Sequence, residues 1–219
     1  MYQKGTNLNS RYDFLSTKWG VILYNFVTIL IGFIFGLVFG SFFEYFIHKN
    51  FLHHTPRLLD QSKYIKSMCL GHSVSHHGHY LPDRHYTQDI TNKEEVLTFT
   101  KYDVIFLLTG IIGLFYITSV LIRHLFNLQF AYLPPEAIGT TIAIVIYYIA
   151  YESLHVIMHV PHKGKWLRNT YFMRWLNRHH YQHHLIPSTN LNVVIPLADY
   201  LLGTKRSLPK EKYVYADAD

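Results

Sequence analysis

The histidines of this chain are the residues that could do chemistry, because they are numerous and closely spaced. Fourteen of the sixteen histidines fall within four short segments. The segments run from His48 to His54, from His72 to His79, from His155 to His162 and from His179 to His184. Neutral imidazole is the commonest protein ligand for transition metals. The clustering therefore predicts a metal site.

The spacing within the segments places several imidazoles on one side of a helix. Residues four apart share a helix face with Cβ atoms about 6 Å apart, as in the pair His155/His159. His48 and His53 are five apart and need a slight turn to converge. A single pair is more often surface histidine than ligand, so the prediction rests on the joint pattern. Ten imidazoles are the candidate ligands: His48, His53, His72, His76, His77, His155, His159, His180, His183 and His184. One metal takes four to six ligands, so ten donors favour two metals.

Further polar residues could orient these ligands or replace one of them. We expect a carboxylate near an apolar helix end to accept an imidazole N–H and fix the ring tautomer. His54 and His162, like His79 and His179, are left open as donors that orient a ligand, as substrate contacts or as spare residues. The candidates for orienting or alternative ligands are Glu44, His79, Glu152, His179 and Asp199. No catalytic residue is predicted beyond the metal ligands.

The elements that must position the histidines are long apolar runs. Residues 19–43 carry no charge, and 104–122 and 138–158 are further apolar stretches. About 20 apolar residues in a helix cross a hydrocarbon core. The sequence predicts an all-α integral membrane bundle of three spans, a fourth interfacial or re-entrant segment being left open, under a His-rich helical cap. The predicted boundaries are a polar arm at 1–18, one membrane domain at 19–204 and a tail at 205–219.

The distribution of charge predicts the topology. Of the twenty Lys and Arg residues, seven lie in 48–102 and nine in 159–219, whereas the connection between the second and third runs holds only Arg123. By the positive-inside rule the histidine segments face the cytoplasm, and this distribution accounts for the net charge of +6 without nucleic acid. The single cysteine, Cys69, excludes a disulfide framework.

Two features predict how the helices pack. Gly32, Gly36 and Gly40 form a smooth stripe at intervals of four, which suits either packing against this chain's own spans or a homodimer contact. The sequence predicts one interfacial helix over residues 165–184. Its aromatic residues would anchor it, and Arg168 would be among the cations that face lipid headgroups. Over residues 55–102 the sequence predicts short helices and loops.

The donor set limits the chemistry. All-imidazole ligation suits iron, zinc or copper, and the sequence contains neither a G-x-S-x-G nor an H-E-x-x-H motif for hydrolysis. A pair of redox metals beside the hydrocarbon region fits oxidation of a lipid C–H bond, a step that the metal must supply. A transition-metal transporter or sensor is the alternative from another class.

These segments resemble the motifs of the fatty acid hydroxylase superfamily, a membrane di-iron group. Residues 44–53 (EYFIHKNFLH) are similar to its E-Y-x-x-H-[RK]-x3-H box, and 180–184 (HYQHH) match its H-x2-H-H box. His72-x3-His76-His77 and His155-x3-His159 resemble its middle boxes, although the spacing in 72–79 departs from the usual H-x2-H-H. Residues 192–204 resemble its closing N-x-x-x-P-x-x-D-x-x-x-G-T segment.

The resemblance implies a di-iron monooxygenase that hydroxylates a fatty acyl, sphingolipid or sterol-like chain. It implies two iron ions (zinc in a purified form), O2 as cosubstrate and a separate electron donor of the cytochrome b5, ferredoxin or reductase type. A lipid desaturase or carotenoid hydroxylase of the same metal chemistry stays an alternative. We expect no fused haem domain, since no H-P-G-G segment is present, and a bacterial inner membrane rather than the endoplasmic reticulum.

Overall fold

The computed structural model describes residues 17–54, 62–82, 86–87, 101–126, 134–160 and 162–216. Within these ranges every regular element is a helix, which confirms the predicted all-α class. His85, most of the predicted arm and nearly half of the 55–102 segment lie outside the described residues.

Three helices have the length of a membrane span, as predicted. Helix α1 is Lys18–Ile47, and a π-helical turn, π1, continues it over His48–Leu52. After the short helices α2 (Lys63–Cys69), π2 (Leu70–His76) and α3 (His77–His79) comes α4 at Lys101–Leu125. Helix α5 is Pro135–His159 and begins at a proline, which is favourable at a helix start. The three long helices are apolar enough to cross a bilayer, consistent with an integral membrane protein.

The remaining helices are short, apart from one. Helix α6 is Lys165–Arg168 and α7 is Tyr171–Leu185. They are followed by α8 (Leu197–Leu201), a 3₁₀ turn (Lys210–Lys212) and α9 (Tyr213–Ala216). The single interfacial helix predicted over 165–184 is wrong, because Thr170 breaks it. The Thr170 side chain accepts a hydrogen bond from the Met173 N–H and so starts α7.

The chain divides into two compact units. The first contains α1 up to Gly36, α4 from Leu108 and α5 up to Ile144. Here the glycine stripe packs against this chain's own α5: a Cβ on Gly36 would lie 2.7 Å from the Ala143 Cβ, and one on Gly32 would collide with the Glu136 backbone. Arg123 on α4 donates to both Glu136 carboxylate oxygens, at 2.7 and 2.6 Å.

The second unit holds the end of α1, the end of α5 and all the shorter helices. Its apolar core is centred on Met158, Met173 and Leu176, which are fully buried. Gly40 packs here against the Tyr147 ring. All four histidine segments belong to this unit.

Arg168 lies inside the second unit, and its predicted contact with lipid headgroups is wrong. Its side chain is 5% exposed and donates to the backbone carbonyls of Ile157 and Met158. These carbonyls belong to the last turn of α5, which has no further intrahelical donors. Trp166 and Tyr171, by contrast, are 78% and 87% exposed, as interfacial anchors would be.

Candidate metal centre

Two adjacent groups of histidines form the candidate site. We call His48, His53, His72 and His183 the first group, and His76, His155, His159 and His180 the second group. Within each group one ring nitrogen from every residue lies within 4.8 Å of the others. Both groups could hold a metal ion.

The two remaining candidate ligands flank the groups. His77 places its Nε2 3.1 Å from Nε2 of His183, beside the first group. His184 places its Nε2 3.2 Å from Nε2 of His180, beside the second group. Each group with its flanking ring therefore offers five imidazoles, and all ten candidate ligands meet in one cluster.

The π-helical turns explain how the histidine spacings converge. In π1 the His53 N–H donates to the His48 carbonyl, a hydrogen bond across five residues. In π2 the His77 N–H donates to the His72 carbonyl in the same way. A turn of this width aligns residues five apart, which an α-helix would rotate away from each other. The bend that the sequence requires between His48 and His53 is thus a change of helix type.

Helices π2 and α7 each contribute to both groups. His72 and His76 are neighbours on π2, with stacked rings 5.1 Å apart, and belong to different groups. His183 and His180 on α7 are likewise divided, with stacked rings 5.6 Å apart. The two groups are therefore directly adjacent, with stacked rings on π2 and on α7 at their boundary.

The distances between ring nitrogens fit a shared cation. Nε2 atoms lie 2.9 Å apart in His48/His72 and 3.1 Å apart in His159/His180. Two imidazoles bound at right angles with metal–nitrogen distances of about 2.1 Å have nitrogens about 3.0 Å apart. Both ring nitrogens of His76 and Nε2 of His155 are buried with no hydrogen-bond partner among the described residues. Buried polar atoms without partners are costly, and a metal would satisfy Nε2 of His155 and one of the two ring nitrogens of His76.

Backbone carbonyls fix the orientation of three rings. Nδ1 lies 2.9 Å from the Tyr86 carbonyl in His159, 2.9 Å from the Thr189 carbonyl in His183 and 3.0 Å from the Tyr80 carbonyl in His184. A carbonyl only accepts, so each Nδ1 carries the proton and each Nε2 keeps its lone pair. This tautomer presents the metal-binding nitrogen to the neighbouring imidazoles.

Burial favours the neutral form of the rings outside the spans. Desolvation, with a smaller contribution from neighbouring imidazoles, lowers the pKa of His53 to about 4 and that of His77 to about 3. Burial, followed by the same mutual repulsion, holds the pKa of His180, His183 and His184 well below its usual range. Neutral imidazole is the form that binds metals.

The predicted role of Glu44 as an imidazole acceptor is wrong. The Glu44 carboxylate accepts from the Tyr147 hydroxyl at 2.6 Å, the Asn192 amide at 3.0 Å and the Val193 N–H at 2.6 Å. Glu152 is partly buried, and its Oε1 has no hydrogen-bond partner among the described residues, so its role stays a prediction. Glu44 thereby ties α1 and α5 to the loop at 189–196, whose Thr189 carbonyl orients His183. Backbone carbonyls, rather than these carboxylates, orient His159, His183 and His184.

Asp199 and His179 form a pair outside both groups. Asp199 is fully buried, and its carboxylate lies 3.2 Å from Nε2 of His179. It also accepts from the N–H groups of Leu191 and Asn192 and from the Thr204 hydroxyl. The pair fixes the 189–196 loop against α7. His79 also lies outside both groups, with its ring 5.0 Å from that of Tyr80, while His54 and His162 are exposed.

Sequence reasoning missed two positioning residues in the same loop. Asn192 is fully buried; its amide donates to the Ser41 carbonyl and to Glu44. Asn190 adopts a left-handed conformation with φ of 52°, and its amide donates to the His179 carbonyl. Asparagine is one of the few residues that adopt this conformation readily. The sequence Thr-Asn-Leu-Asn at 189–192, which four residues separate from the last histidine segment, was the available signal.

Comparisons with protein-family models, with curated proteins and with solved structures find no match for this chain.

Proposed function

We propose that this protein is a membrane-bound, metal-dependent oxidoreductase that hydroxylates a lipid chain with O2 and an external reductant. One observation carries the proposal: ten imidazoles from four segments form two adjacent groups with their flanking rings, and two of the segments lie at the ends of span-length helices. The resemblance of the four segments to the fatty acid hydroxylase motifs supports the same assignment.

The two groups and their flanking rings would hold two iron ions. His48, His53, His72, His77 and His183 would bind one, and His76, His155, His159, His180 and His184 the other. Five imidazoles leave one position of a six-coordinate metal for an external ligand, and imidazole suits iron. Bound iron would supply the activation of O2 that oxidation of an unactivated C–H bond requires.

The protein's own contribution is orientation and exclusion of water. The carbonyls of Tyr80, Tyr86 and Thr189 hold three protons on Nδ1 and leave Nε2 as the donor atom. Burial of the second group keeps water from competing for the donors. A water-excluded site also protects reactive species from side reactions.

The position of the donors at helix ends favours a lipid substrate. His48 follows Ile47 in the continuation of α1, and His155 and His159 lie in the last two turns of α5. Apolar side chains on the same long helices face outward, among them Phe26 and Ile31 with more than 60% exposure. An acyl or alkyl chain would therefore reach the histidines from the bilayer with little transfer into water.

The test is lipid mass spectrometry of cells that carry or lack the gene, combined with metal analysis of the purified protein. We expect a lipid that gains one oxygen atom only in cells with the native protein. His180→Ala should abolish this product and reduce bound metal, whereas His162→Ala, an exposed histidine outside both groups, should retain both. A product that lacks two hydrogens would identify a desaturase. Unchanged lipids with a metal-loaded protein would contradict the proposal.

A further inference from the structure

The two histidine groups differ in their access to the surface. All four residues of the second group are buried, and so is the flanking His184. In the first group His53 is partly exposed, and the flanking His77 is partly exposed as well. The two groups thus differ in the exposure of the imidazoles that would bind the metal ions.

A cavity of about 460 Å³ adjoins the first group. His53 and His77 form part of its wall, together with Ser73, Ser188 and Lys49. Lys49 and Ser188 are exposed, so the cavity reaches the surface. No residue of the second group lines it.

The lining of the cavity suits a small anion. Lys49 brings a positive charge, and its ammonium is held 3.3 Å from the Tyr45 hydroxyl. Ser73 and Ser188 add hydroxyls, and Ser73 Oγ lies 3.3 Å from Nδ1 of His53. The described lining contains no carboxylate. A cation held by neutral imidazoles keeps its full charge, which would attract an anion further.

We propose that this cavity binds small anions directly beside the first group, and that the cation there exchanges with solvent faster than the cation in the second group. The inference rests on the proposed function in that both groups hold a metal. It adds that, of the two metal positions, the one in the first group accepts an external ligand from this cavity. A chelator must contact an ion in order to remove it, so we expect a chelator to reach the first group through this cavity.

The experiment measures metal release from the full-length protein loaded with Co²⁺ in detergent. Pyridine-2,6-dicarboxylate, a small planar dianion, is added, and free and bound Co²⁺ are followed by absorbance. We expect two phases of about one ion per chain each, separated by about tenfold or more in rate. In His53→Ala the fast phase should be lost; in His155→Ala the slow phase should be lost.

Variants of the cavity wall test the path itself. Ser188→Trp should slow the fast phase and leave the slow phase unchanged, while Ser207→Trp, an exposed serine outside the cavity, should change neither. Azide should alter the spectrum of the fast-releasing Co²⁺ alone. Lys49→Met should weaken this azide binding, and Lys49→Arg should preserve it.

The outcomes separate the two proposals. A protein that binds no metal overturns the proposed function and the inference with it. Two ions that leave at a single rate, or a fast phase that Ser188→Trp does not slow, overturn the inference alone. An azide response that involves the slow-releasing ion would also overturn it.

Discussion

The rings of His48 and His53 lie parallel, with centroids 5.1 Å apart and an angle of 8° between their planes. They are five positions apart in the sequence, and the π-helical turn that joins them brings both into the first group. Turns of this type are rare and often occur at functional sites. The next residue, His54, is exposed and belongs to neither group.

This contrast between neighbours gives the first prediction. His53→Ala should reduce bound metal from two ions per chain to about one, because a site that loses one of its few donors binds weakly. His54→Ala should retain both ions. Elemental analysis of the two purified variants measures the difference, and equal metal contents would refute the ligand role of His53.

The stability of the metal-free protein should fall as the pH falls below about 6.5. The pKa of His53 is lowered from 6.5 to about 4 and that of His77 to about 3, mainly by burial. The unfolded chain therefore takes up these protons at higher pH than the folded chain. The contribution of each neutral ring to the free energy of unfolding is fully present above pH 6.5. The contribution of His53 is lost between about pH 6.5 and 4, and that of His77 between about pH 6.5 and 3.

Thermal unfolding in detergent across this pH range measures the effect. The midpoint should decrease steadily on acidification, and His53→Ala should make the decrease shallower because one titrating group has been removed. A midpoint that does not vary with pH would show that these rings are not buried in the neutral form.

Asp199→Asn should destabilise the second unit. The carboxylate accepts from two backbone N–H groups and from Thr204, and hydrogen bonds to charged groups contribute about 1.5–3 kcal/mol each. Burial alone raises the pKa of Asp199, but the hydrogen bonds from His179, Thr204 and the loop outweigh it and hold the pKa below its usual value. The contribution is thus present above pH 4 and lost in more acidic solution.

Chemical denaturation of Asp199→Asn at neutral pH should show a loss of about 2 kcal/mol or more in the free energy of unfolding. Thr204→Ala removes one of the same hydrogen bonds and should cost less. If Asp199→Asn were as stable as the native protein, the carboxylate would not hold the 189–196 loop.

Gly36→Val should disturb the first unit, because a Cβ at this position would lie 2.7 Å from the Ala143 Cβ and 2.9 Å from the Thr140 carbonyl. Forced overpacking of this kind costs about 1–3 kcal/mol. Gly110→Val on α4 is the matched control, since nothing lies within 4 Å of its added Cβ. Thermal stability in detergent should fall for Gly36→Val only. Equal losses in the two variants would mean that helix propensity, rather than close packing, sets the effect of the substitution on stability.

The spans could be predicted from the sequence because apolar length is a local property. The uncharged run from Trp19 to Phe43 becomes α1, and the proline at 135 begins α5. The meeting of His72, His76 and His155 could be anticipated from their spacing and their place beside the spans. These inferences need no knowledge of tertiary contacts.

The tertiary hydrogen bonds could not be predicted in this way. Glu44 is paired with Tyr147 and Asn192, which lie 103 and 148 residues away in the chain. Arg168 reads as a surface cation, yet it donates to carbonyls at the end of α5. Nothing near either residue in the sequence identifies these partners. Which group each histidine joins depends in the same way on the π-helical turns.

The absence of carboxylates from both groups has an electronic consequence. Neutral donors leave the charge of bound cations uncompensated, so the more highly charged oxidation state is stabilised less than it would be by anionic ligands. Replacement of thiolates by imidazoles raises the potential of iron–sulfur centres for this reason. Iron held by these ten rings would accept electrons readily, and a mild reductant would suffice to keep it ferrous.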